Sequence, residues 1–241
     1  DANSNDVLTY SWEQMDLGTS TTSVPNANGT SGPLFRSYPE NISPIRYFPN
    51  LNSILNGATS TSGREIVSEI LPNVARTLNF RLTVRDNRIG GGANNSDDMI
   101  ITVDGTAGPF TVDTQNSAVS YTAGTSQTIN WSVAGTNTNG VNCANVDIYL
   151  SQNGGSSFPI LLASKVPNDG SETVSIPATT GTQNRIMVKG NKNIFLDVSN
   201  TNFTVTTTTP TFALTFDGQP DGQNKSVCQG QEATYSVLYS T

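Results

Sequence analysis

The chain has 241 residues, 12 basic and 19 acidic side chains for a net charge of −7, and no histidine. Without histidine there is no HExxH-type zinc site and no Ser-His-Asp or Cys-His nucleophile, and an acidic chain with no basic stripe argues against nucleic acid or an anionic membrane as a partner. Only 13% of residues are charged, Thr, Ser, Asn and Gly abound, and short β-type runs recur between turn residues, so the composition predicts an all-β chain long enough for two sandwich cores.

The first six residues are polar and lead into Leu8, Tyr10 and Trp12, which alternate onto one face. That pattern predicts a strand with a buried aromatic pair, Trp12 serving as a core residue. Residues 18–79 lack a clear period and are punctuated by Pro25, Pro33, Pro39, Pro44, Pro49 and Pro72, the mark of an elaborated insertion. Short helical turns are expected at Asn50–Leu55 and Ile66–Leu71. Two aromatic-basic knots occur here, Phe35, Arg36 and Tyr38, then Arg46, Tyr47 and Phe48. Packing of the rings onto the sandwich with arginines stacked on them is one reading; an aromatic-lined ligand groove is the other.

Arg81 to Gly105 reads strand, polar loop, strand. Leu82 and Val84 alternate with Arg81, Thr83 and Arg85, and Met99, Ile101 and Val103 alternate with Ile100 and Thr102. Between them lie three consecutive glycines and the oxygen-bearing side chains of Asp86, Asn87, Asp97 and Asp98. Asp and Asn favour hairpin tips because they cap backbone amides; clustered carboxylates also suit an oxygen-liganded cation. The turn-rich run from Asp104 to Pro109 ends this first unit.

From Pro109 to about Thr206, alternation at Ile129, Trp131 and Val133 and at Val146, Ile148 and Leu150 is followed by runs at Ile160–Ala163, Thr173–Ile176, Arg185–Lys189, Ile194–Val198 and Asn202–Val205. Seven or eight short strands in about a hundred residues predict an immunoglobulin- or fibronectin-like sandwich with Trp131 in its core. No convergent polar cluster is evident there, and the unit reads as a spacer. Thr206 to Pro210 is a short linker, after which strand-like pieces at Ala213–Phe216 and Ala233–Leu238 open a third module. The expected organisation is thus 1–107, with an insertion at about 18–79, then 108–207, then 208–241. Cys143 and Cys228 are far apart, so they either pair across modules or have partners elsewhere. No stretch is apolar enough to span a membrane, and the low-lysine, Thr/Ser/Asn-rich composition suggests a secreted, extracellular or cell-surface piece of a longer precursor.

The phrases LTYSWEQMDLG, GPLFRSYPE, RYFPNL, FRLTVRDN and DDMIITVDG, followed by AGPF, INWSVAGT, VNCANVDIYLS, PNDGS, RIMVKG and NIFLDVSNTNF, run in order along nearly the whole chain. In that order they resemble the region after the catalytic domain of large secreted bacterial reprolysin-like zinc metalloproteases. The resemblance implies cadherin- or polycystin-repeat-like modules between a protease domain and a sorting domain. Because the zinc motif is missing, any peptidase activity would belong to the parent protein and not to this piece.

In cadherin-like modules an acidic DxNxD loop precedes the aromatic strand and binds calcium. Here DANSND carries one extra residue, and the strands that normally precede that loop are absent, so the resemblance implies a first module incomplete at its N-terminus. In such a sandwich the loop and the hairpin tip share one end, which would bring Asp1, Asn3 and Asp6 towards Asp86, Asn87, Asp97 and Asp98 as calcium ligands; magnesium demands tighter geometry. Two functional readings follow. The chain is a non-catalytic spacer attached to neighbouring domains of a secreted metalloprotease-like protein, or it is an adhesin or filament subunit pairing with a partner or with itself through open sheet edges. Glycan binding by the aromatic insertion is a third. The Asn-x-Ser/Thr triplets, such as Asn41-Ile42-Ser43, read as chance in so Asn- and Thr-rich a chain.

Overall fold

A computed structural model describes residues 5–18, 25–61, 69–138 and 140–207, with short pieces at 215–216, 229–230 and 237–238. It is nearly all β. In the first unit β1 (Thr9–Gln14), β2 (Arg76–Arg85) and β3 (Asn94–Val103) form one antiparallel sheet in that order. The register sets Trp12 beside Leu82 and Phe80 beside Met99. The two-residue side-chain period therefore puts Leu78 and Phe80, 4% and 2% exposed, on one inward face.

Among the described residues no second sheet covers that face. The irregular segment does so, burying Leu34 and Phe35 against Leu78 and Phe80, with Trp12, Phe48, Ile70 and Leu71 around them. Trp12 lies at the margin of this core. It is half-buried, and its indole N–H donates to the Pro44 carbonyl at 2.9 Å. The rings of Phe35, Phe48 and Phe80 meet pairwise at centroid distances of 5.0, 6.0 and 4.8 Å. A stretch with little regular structure thus holds its place by ring packing, each such pair contributing about 0.5–1.5 kcal/mol beyond its buried area.

The segment contains α1 (Leu51–Leu55). Asn50 caps it by accepting from the Ser53 amide at 2.9 Å, and Gly57, at φ +67°, ends the turn. The other expected helical turn, Ile66–Leu71, lies partly outside the described residues. Its described part is extended: Ile70 bridges Ser60, and its amide donates to the Leu34 carbonyl. The reason is that this backbone is used for cross-links between loop strands and so cannot close on itself.

The second unit is a two-sheet sandwich. One sheet orders β4 (Thr111–Val112), β6 (Ser126–Ser132) and β9 (Ser171–Ser175). The other orders β5 (Ser120–Thr122), β12 (Phe203–Thr206), β10 (Gly181–Gly190), β7 (Asn145–Ser151) and β8 (Ile160–Pro167), with β11 (Leu196–Val198) on β10. Val112, Ile129, Trp131 and Val174 from the first sheet meet Ile148, Leu150, Ile186, Val188 and Phe203 from the second in one core. The buried Trp131 indole donates to Asn168 Oδ1 at 2.9 Å, and Asn168 Nδ2 donates to Thr136 and to the Cys143 carbonyl. The Asn168-Asp169-Gly170 turn is therefore also the polar pin of this core. Farther on, β13 (Thr215–Phe216) pairs with β14 (Val237–Leu238).

Contacts join the two units. Leu55 of α1 lies over Gly155, whose φ is +95° and where an added Cβ would fall 2.2 Å from Leu55 Cδ2. The Arg185 guanidinium donates to the Leu55 carbonyl at 3.1 Å and, within its own unit, to Ser199 O and Asn202 Oδ1. On another side Gly140 admits the Asp104 carboxylate, which would sit 2.7 Å from a Cβ there.

Candidate functional site

At the acidic end of the first unit, Asp1 and Asn3 lie outside the described residues. Asp86 follows the last residue of β2, and its Oδ1 accepts from the amides of Arg88 and Ala93 at 3.3 and 2.8 Å. Asn87, at φ +51°, donates to Thr9 Oγ1 and the Val7 carbonyl. This tip therefore folds by Asx-turn chemistry and is stitched to the entry of β1. Asp97 and Asp98 are not at the tip. They sit within β3 opposite Leu82 and Arg81, on opposite faces of the sheet. Asp97 lies three positions past the start of β3, roughly 10 Å of strand from the tip.

Arg81 holds Asp98 in a two-bond ion pair at 2.7 and 2.9 Å, which draws that exposed carboxyl below its ordinary value. Among the described residues, no three carboxylate, thiol or imidazole side chains gather as ion ligands. Asp6 differs from the others. Its Oδ2 is shielded from water and has no hydrogen-bond partner among the described residues. Of the five expected ligands among the described residues it is the one with such an oxygen, and Asn87 bonds to the neighbouring Val7.

The aromatic-basic knots have a different arrangement from a groove. Phe35 and Phe48 are in the ring cluster of the core. Arg46 stands with its guanidinium carbon 4.6 Å from the Tyr38 ring centroid and 4.4 Å from that of Phe48. It pairs with Glu69 at 2.5 Å and donates to the carbonyls of Trp12 and Arg36. Glu69 has no exposed surface and also accepts from the amides of Asn50 and Arg36. Burial pulls the Arg46 guanidinium below its ordinary value, against the opposing pull of Glu69. Burial likewise raises the half-buried Tyr47 phenol. A buried carboxylate at a meeting of loops organises their backbone amides, and the knots therefore hold the insertion together.

The second unit does carry a convergent polar cluster, contrary to the sequence expectation. An open depression of about 410 Å³ at the start of β7 is lined by Asn142, Cys143, Lys165, Asn191 and Lys192, among others. Asn142, Lys165 and Lys192 all have left-handed φ, at 48°, 55° and 58°. The Ser164–Lys165 bulge is fastened by Asp147, whose Oδ1 accepts from Ser164 Oγ and the Lys165 amide and whose Oδ2 accepts from Asn191. Partial burial would raise the Asp147 carboxyl, yet these bonds together take it below its ordinary value. The Cys143 thiol donates to the Asn145 and Asn191 carbonyls, and burial pushes it up. The sequence marks a turn at Gly190-Asn191. Its convergence with 142–145 and 165 follows from strand order, which periodicity does not reveal.

No protein-family model, curated protein or solved structure matches this chain. Among the described residues no helix is long and apolar enough to cross a membrane.

Proposed function

We propose that this chain is a non-catalytic spacer in a secreted, metalloprotease-like multidomain protein. In this reading the first unit is cadherin-like and the second immunoglobulin- or fibronectin-like, and calcium bound near Asp6, Asp86 and Asn87 stiffens the first unit. One observation carries the spacer reading: Leu55 packs over Gly155 while Arg185 bonds the carbonyl of the same Leu55. A joint with both an apolar contact and a directed hydrogen bond transmits orientation from one unit to the next, where a bare linker would not. The lack of histidine supports a non-catalytic reading, and Asp86, Glu69 and Asp98 are engaged in a turn and in ion pairs.

The test measures spin-label distances between the two units. The wild type is expected to give a narrow distribution, and Leu55→Ala a broader one. A broad wild-type distribution, with the units tumbling independently, overturns the spacer reading. Melting with calcium and then with chelator tests the ion separately: an upward shift that Asp6→Asn abolishes is expected, and no shift removes calcium from the proposal. The adhesin or filament reading draws its support from a different place, the open edge of β3.

A further inference from the structure

The two edges of the first sheet are treated differently. On β1, the outward amide and carbonyl of Tyr10 pair with Asn41, the Trp12 carbonyl accepts from Arg46, and the Gln14 side chain takes the amides of Leu34 and Phe35. The insertion therefore closes that edge. On β3, no strand among the described residues pairs with the outer side, and Asn94–Ile100 is exposed on both faces, including 70% of Ile100. A ten-residue strand with one open side is a template for another strand.

The outward amides of β3 show how that side is kept. Ser96 N–H donates to Asn95 Oδ1 at 2.9 Å and Asp98 N–H to Asp97 Oδ1 at 3.0 Å. Each side chain thus occupies the place a neighbouring strand's carbonyl would take. By strand alternation the next outward amides, Ile100 and Thr102, face the same side. A docking strand would take over the Ser96 and Asp98 amides and release the Asp97 carboxylate, which has no ion pair among the described residues.

Charge decides which strand fits. Two copies pairing antiparallel about Asp97 or about Asp98 set that carboxylate directly opposite its own copy. Like charges directly opposite are unfavourable, and opposite charges favourable. We infer that β3 accepts an extended segment of a different polypeptide, carrying Lys or Arg across from Asp97 and β-branched residues across from Met99 and Ile101. This goes beyond the spacer reading and does not depend on the joint between the units.

The probe is a capped eight-residue peptide alternating Thr and Val, with one Lys placed to fall across from Asp97 in antiparallel pairing, and a counterpart with Glu in its place. The Lys peptide is expected to bind about tenfold more tightly than the Glu peptide, and to slow amide exchange at Ile100 and Thr102. Asp97→Lys, an exposed position, should invert the preference. Equal binding of the two peptides, no binding at millimolar concentration, or protection elsewhere overturns the inference. So does sedimentation showing a dimer of this chain that protects β3, which would assign the edge to a second copy.

Discussion

Replacing Arg46 with Met removes the cation that neutralises Glu69 but leaves an apolar chain of similar length between the Tyr38 and Phe48 rings. The Arg46 side chain is 13% exposed and that of Glu69 is 0% exposed, so the pair is shielded from water and salt. Breaking one side of such a pair costs about 3–5 kcal/mol, because the remaining carboxylate is buried without its counter-ion. The lost ring contacts add about 0.5–2 kcal/mol, partly offset by the methionine sulfur. For a unit of about a hundred residues this lowers the melting temperature by roughly 12–25 °C. Calorimetry reads the loss, and exchange at the Leu34 and Phe35 amides assigns it to the first unit. Adding Glu69→Gln removes the stranded charge and keeps an acceptor for the Asn50 amide, giving up the longer Arg36 bond to the other oxygen, so the double variant should return to within about 2 kcal/mol of wild type. A loss under about 1 kcal/mol for Arg46→Met, or a double variant no better than the single, would refute the argument.

Two further expectations concern the second unit. Burial raises the Asp197 carboxyl, with Asp113 adding to it, against the amide bonds of Val112 and Val198 that lower it. The folded state then holds the proton more tightly than the unfolded chain, so stability is present at acid pH and falls as pH rises through the raised value. Asp197→Asn, whose carbonyl still accepts from Val112, should flatten that fall when unfolding is followed by Trp131 fluorescence. A pH profile unchanged by the substitution would count against this assignment. The buried, upward-shifted Cys143 thiol should alkylate slowly in the folded protein and quickly in denaturant, as peptide mapping by mass spectrometry can show. Rapid modification of the native protein would contradict that burial.

Much of the fold was legible because strand formation is local. The alternation at Arg81–Arg85 and at Met99–Val103 marks strands whatever else the chain does, and the same holds for Ile129 with Trp131 and for Val146 with Ile148 and Leu150. The zero histidine count likewise narrows the chemistry before any folding. Side-chain partners are another matter, because they depend on segments distant in sequence. Phe35 and Arg46 carried two readings until Phe80 and Glu69 were found beside them. Asp97 and Asp98 looked like part of a tip until the register set them inside β3, on opposite faces. The Asn142, Lys165 and Lys192 depression is formed by two loops and a strand bulge that meet only because β7 lies between β8 and β10. Local pattern therefore determined which residues form strands and which chemistry is open to the chain. Tertiary structure decided which carboxylates are already paired, which sheet edge is closed by the insertion, and which is left open, since pairing and burial are properties of distance in space.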